Sequence, residues 1–111
     1  MEDENYMKHF EMIASAGMSK SNSMEAIQEA RAGNFEQAEQ LLEEANRNLT
    51  EAHKIHYQML QDEANGKVID VNIVAVHAQD HLTMATIMHD LGVEILNIYR
   101  ILKKNEDSIT L

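Results

Sequence analysis

Residues 70–104 read DVNIVAVHAQDHLTMATIMHDLGVEILNIYRILKK, and this stretch decides the fold. Steps of three and four connect Val74, His77, His81, Met84, Met88, Leu91, Ile95, Ile98 and Leu102, the spacing of a helix seam in a left-handed bundle. A second stripe runs through Ile73, Val76, Asp80, Met84, Ile87 and Leu91. A helix that is apolar on two faces needs partners on two sides. One face is expected to meet the rest of its own chain and the other a second copy. The pattern therefore predicts an oligomer with this helix near its centre.

Working outward, the chain is punctuated twice. Gly33-Asn34 ends one helical pattern and opens the next, with Asn34 as expected N-cap and Gln37 as its capping-box partner. Asn65-Gly66 is the second break, and Asp70 is the expected N-cap of the third helix. Helices are thus predicted over about 4–32, 35–64 and 70–104, as one all-α domain over 1–104 with a frayed polar tail over 105–111. The middle helix has the cleanest seam: Phe35, Ala38, Leu42, Ala45, Leu49, Ala52, His56 and Met59. In the first helix Tyr6, Phe10, Ile13, Gly17, Met24 and Ile27 line up, but Ser19, Ser21, Asn22 and Ser23 interrupt the apolar run. That interruption reads as a kink, a polar patch or a solvated turn. Gly17 and Gly92 lie inside helical patterns at about 1 kcal/mol each relative to Ala, a cost that close approach of a neighbouring backbone would offset.

Composition narrows the classes. The 111 residues include no proline, four glycines and only 5% aromatics, which is the composition of a helical domain. No window is apolar enough to span a bilayer, and the start Met1-Glu2-Asp3-Glu4 is acidic where a secretory signal needs a basic start. The absence of cysteine excludes disulfide and thiol chemistry and fits a reducing cytoplasm. A formal charge of −10 argues against nucleic acid and anionic membrane surfaces; it would steer in a basic protein partner, and solubility explains the acidity at least as well.

Six histidines carry the remaining information: His9, His53, His56, His77, His81 and His89. His9 and His89 read as ordinary surface or core residues, and His53 as a core-edge group with a hydroxyl or carboxylate partner. His77 and His81 differ, because they stand one helical turn apart with Asp80 beside them. Three chemistries use such a cluster: a transition-metal site, phosphoryl transfer to a neutral imidazole, and a structural polar layer that fixes register. The metalloprotease pattern His-Glu-x-x-His is set aside, since Ala78 occupies the position of its general base. Asp80 falls in the middle of the stripe assigned to self-association. Carboxylates brought together on a symmetry axis must take up protons or share a hard cation such as Mg²⁺ or Ca²⁺.

The segment Val76-His77-Ala78-Gln79-Asp80-His81-Leu82 resembles the signature of enzyme IIA of the lactose/cellobiose class, from the bacterial sugar phosphotransferase system. Other matches come in order: Gly17-Met18-Ser19-Lys20-Ser21, Ala30-Arg31-Ala32-Gly33-Asn34-Phe35, Ala52-His53, and Glu63-Ala64 with Gly66. The resemblance covers about residues 10–103. It implies an antiparallel three-helix bundle that forms homotrimers in the cytoplasm. Such a protein accepts a phosphoryl group from phospho-HPr on His77 and passes it to a cysteine of a IIB protein or domain. The sugar, a β-linked disaccharide such as cellobiose or lactose, is phosphorylated during uptake through the membrane component IIC. The resemblance also implies a divalent metal ion, Mg²⁺, held by Asp80 at the trimer axis. His81 and Gln79 are the expected supports of His77, with Ser19, Lys20 and Ser21 as candidate phosphate neighbours. Two departures stand out: Leu82-Thr83-Met84 reverses the family's Leu-Met-Thr, and His56-Tyr57 replaces its Gln-Thr. The rival reading is a metal-binding or non-catalytic helical assembly protein built on His53, His56, His77, Asp80 and His81.

Overall fold

The computed structural model describes residues 2–109. Three helices account for all its regular structure among these residues: α1 (Glu2–Arg31), α2 (Phe35–Ala64) and α3 (Ile73–Ile109). They pack lengthwise into a rod of 66 × 20 × 19 Å, with the connections at 32–34 and 65–72 at opposite ends.

The first two helices are closed by the same device. Gly33 and Gly66 adopt positive φ of 87° and 93°, which favours glycine because a Cβ is strained there. The amides of Gly33 and Asn34 then donate to the carbonyls of Ala30 and Glu29, and those of Gly66 and Lys67 to Glu63 and Asp62. These are Schellman motifs, satisfying carbonyls that the helix leaves without partners. The starts differ from the sequence expectation. Asn34 makes no side-chain cap; its side-chain amide donates to Glu29 Oε2 at 2.8 Å instead, so the capping box with Gln37 does not form. At α3 the cap is Asn72 rather than Asp70: Asn72 Oδ1 accepts from the Ala75 amide at 2.9 Å. The helix consequently begins at Ile73. At its other end α3 runs to Ile109, so the frayed tail expected from 105 is helical over its described part; Thr110 and Leu111 lie outside the described residues.

The core corrects two of the three seams. On α2 the expected residues Ala38, Leu42, Ala45, Leu49, Ala52 and Met59 are buried. On α3, Ala78, Leu82, Ala85 and Leu96 face inward, while Ile73, Val76, Met84, Ile87, Leu91, Ile98 and Leu102 are exposed. The seam through His77 and Met84 is therefore not the core seam, whereas the second stripe does point outward as expected. On α1 the inward residues are His9, Met12, Ala16, Ser19, Ser23, Ala26 and Ala30, and Tyr6, Phe10 and Met24 are exposed. Alanine dominates because the helices approach closely. Gly92 is the limiting case, since a Cβ there would come within 2.9 Å of Leu42 Cδ2. Gly17 has no neighbour within 4 Å to offset its cost.

Serines divide the core into two apolar clusters. One gathers Met12, Ala16, Leu49, Ala52, Met59, Ala78, Leu82 and Ala85; the other gathers Ala26, Ala30, Ala38, Leu42 and Leu96. Between them Ser19 Oγ donates to the Ala45 carbonyl at 2.7 Å, and Asn48 donates to Asn22 Oδ1 at 2.9 Å. The polar interruption of α1 is thus a patch, and α1 runs through it as one continuous helix. A buried hydroxyl bonded to a neighbouring backbone fixes the register of α1 against α2, because any slip would leave it unpaired.

Candidate functional site

Alternation along α3 places its chemistry. At about 100° per residue, the inward Ala78 and Leu82 put His77 and His81 on the adjoining flank, Asp80 on the outward stripe and Gln79 about 200° from His77. His77 is exposed and His81 half-buried. Their Nε2 atoms are 3.1 Å apart, with ring centroids at 4.5 Å and planes nearly perpendicular at 88°. Two nitrogens at that distance share one proton. The other ring nitrogen of His81, Nδ1, is buried without a partner. Burial pushes the His81 imidazole below its usual pKa. The positive charges of Lys20 and His77 push the same way, and Asp80 opposes them. His81 is accordingly neutral, with a lysine of α1 close enough to register on it.

The other expected site residues are dispersed. Asp80 is exposed amid the large apolar residues of the outward stripe. Gln79, expected to assist His77, faces the opposite flank and lines a cavity with His56. Ser19 is fully buried and its hydroxyl is committed to Ala45, so it is a structural residue rather than a phosphate neighbour. Ser21 is exposed. His53 Nε2 lies 3.3 Å from Thr86 Oγ1. That hydroxyl already donates to the Leu82 carbonyl at 2.8 Å, so the imidazole N–H donates and His53 has the hydroxyl partner expected of it. The metal cluster of the rival reading does not assemble: among the described residues no group of three or more His, Cys, Asp or Glu side chains is placed to hold a metal ion. His89 is half-buried beside Asp90, Nδ1 to Oδ1 3.5 Å.

His9, read from the sequence as an ordinary surface or core residue, is 3% exposed and lines a pocket together with His56. Its burial could have been read from the step of three to Met12 only if the inward face of α1 had been known.

Comparison with known proteins returns one family. Residues 7–100 match the family described as PTS system, Lactose/Cellobiose specific IIA subunit. The chain belongs to this family. A lactose-specific EIIA component of Staphylococcus epidermidis is 38% identical over 98 residues, covering 88% of this chain and 94% of that protein. A cellobiose-specific EIIA component of Lactococcus lactis is 44% identical over 77% of this chain and 73% of its own. The crystal structure of the PTS cellobiose-specific enzyme IIA from Bacillus anthracis superposes with a TM-score of 0.86 at 31% identity, covering 88% of this chain and 90% of that one. This IIA chain is accordingly a phosphoryl-carrying component of the sugar phosphotransferase system. No described helix is long and apolar enough to cross a membrane.

Proposed function

We propose that this IIA protein carries its phosphoryl group on Nε2 of His77, received from phospho-HPr and delivered to a cysteine of IIB. The observation that carries the reading is the His77–His81 pair. An N–H at the buried Nδ1 of His81 would have no acceptor, an arrangement that costs about 1–3 kcal/mol. The His81 proton therefore belongs on Nε2, where it is donated to Nε2 of His77. His77 then holds its own proton on Nδ1, and its Nε2 lone pair becomes the nucleophile once the His81 N–H turns away from it. In the acceptance step the P–N bond to an HPr imidazole protonated on its other nitrogen breaks as the bond to His77 Nε2 forms; the HPr imidazole leaves neutral, and the positive charge passes to the His77 ring, which keeps its proton on Nδ1. As the phosphoryl group arrives, the N–H of His81 turns to its oxygens, and the ammonium of Lys20 offsets their charge. In the delivery step a IIB thiolate takes the group, forming an S–P bond and restoring the His77 lone pair. A loose transition state asks little of the protein beyond such positioning and charge stabilisation.

The outward stripe of α3 supports self-association, and the resemblance to the family makes that assembly a homotrimer. Val76, Met84, Ile87 and Leu91 are 41–53% exposed in the single chain, more contiguous apolar surface than a lone soluble helix leaves open. Asp80 sits amid them. One carboxylate is too few for a divalent cation, but three around a threefold axis supply half of the six oxygens that Mg²⁺ takes. Asp80 would hold the ion there, and the ion would offset the repulsion between the carboxylates. The formal charge of −10 would steer a basic partner such as HPr. The protein would work in the cytoplasm, reaching the membrane component IIC only through IIB, and the sugar class is a β-linked disaccharide such as cellobiose or lactose.

The test is intact mass after incubation with phosphoenolpyruvate, enzyme I and HPr. One acid-labile phosphate on the wild type, absent from His77→Ala, is expected; no gain while HPr itself is phosphorylated would sink the reading. For the axial ion, Asp80→Leu should remain folded and lose divalent cation in equilibrium dialysis. Absence of bound cation from both proteins would rule the metal out.

A further inference from the structure

At the end of the bundle near 65–72, all three helices and the loop line a half-open pocket of about 170 Å³. Its walls are mostly apolar, but two imidazoles reach it from different helices: His9 of α1 and His56 of α2. His9 is 3% exposed, and its Nδ1 is buried without a hydrogen-bond partner. His56 is half-buried. The loop closes over the cavity with Ile69, which packs against the core cluster that contains Met12 and Met59, while Glu63 and Asp70 line it from exposed positions. None of these groups takes part in the chemistry at His77.

We propose that this cavity is an acid-sensitive latch: protonation of His9 and His56 releases the 65–72 loop and the first turn of α3, next to the turn that bears His77. The latch rests on the cavity alone; only its effect on phosphoryl transfer rests on the role assigned to His77.

Charge is costly at the buried, mostly apolar inner wall of this pocket, where His9 Nδ1 lies. A neutral imidazole can leave one nitrogen unpaired at modest cost, whereas an imidazolium needs acceptors for two N–H groups or water. Burial alone holds His9 below its ordinary pKa of 6.5. His56 is lowered by burial first and then by His53. The unfolded or opened state therefore binds these protons more readily than the closed one. The stability linked to them is fully present above pH 6.5 and is lost as pH falls below it. The charged groups around the cavity favour the same outcome. Lys8 of α1 is engaged with Asp62 at 3.7 Å, and Asp62 also meets Lys67 at 3.8 Å. Glu63 of α2 stands at the solvent side of the pocket, while Asp70 moves away with the loop. Opening exchanges a buried charge for a hydrated one.

The experiment is amide hydrogen exchange of the isolated protein at pH 7.5 and 5.0, corrected for intrinsic exchange rates. In the wild type, amides of residues 66–76 should lose at least tenfold in protection at the lower pH while the Ala26–Leu42 region changes little. His9→Leu and His56→Gln should each remove most of that difference. The quantity read is the pH difference, so a variant that is looser at both pH values still reports. An unchanged pH difference in both variants, or none in the wild type, would overturn the latch. No phosphotransferase partner is needed; failure of phosphorylation alongside the expected exchange pattern would fault the role of His77 instead.

Discussion

The two faces of α3 invert what hydrophobicity alone suggests. The inward face is built from Ala78, Leu82, Ala85, Gly92 and Leu96; the outward face carries Ile73, Val76, Met84, Ile87 and Leu91. The larger residues are outside. Within a chain of three closely packed helices, small side chains set the spacing, and Leu42 against Gly92 marks how little room remains. Among the described residues the bulky face stays about half exposed. Apolar bulk on a helix can thus mark the surface shared between chains, while the chain's own core is marked by alanine. The imidazoles stand on the flank between the two faces, exposed enough to meet a partner and supported enough to hold a tautomer.

That division can be tested from its sharpest consequence downward. His77→Ala lies on the flank and touches neither core cluster. It should abolish phosphate acceptance while leaving the circular-dichroism melting curve unchanged; a lowered melting temperature would place His77 in the packing instead. His81→Leu removes the donor aimed at His77 Nε2 and should slow acceptance by about 10²-fold, the scale of losing one preorganised donor. His81→Gln, which restores an N–H, should recover part of the rate, and equal loss in both would assign His81 a packing role. Next, Ala85→Leu enlarges the inward face and should destabilise the protein by about 1–3 kcal/mol in urea. Ile87→Ser, two residues on but outward, should spare the secondary structure of the protomer and lower the assembly mass in sedimentation. If the two substitutions acted alike, the distinction between the faces would fail.

Much of this was legible in the sequence. Gly33 and Gly66 end their helices because a left-handed residue is needed there and glycine takes it readily. The α2 seam was readable because its apolar residues lie on one face only. The pairing of His77 with His81 reflects their spacing on one helix. Asp70 and Asn72 are both good caps by residue type, and sequence does not choose between them; Asn72 takes the role through the Ala75 amide. The tail after residue 104 looked polar and frayed, yet α3 carries on without packing, since Lys103, Lys104, Glu106 and Asp107 are adequate helix formers and Lys103 pairs with Asp107 at 3.5 Å.

The sequence by itself determined three helices, their breaks, the imidazole pair and the family, because these depend on neighbours within one or two turns. Tertiary structure decided which face of α1 and α3 is inward, that Ser19 commits its hydroxyl to Ala45, and that His9 and His56 line one pocket. Each of those facts depends on the rotation of one helix against another. That rotation is set by the close fit of small residues across the whole interface, a sum that no local pattern contains.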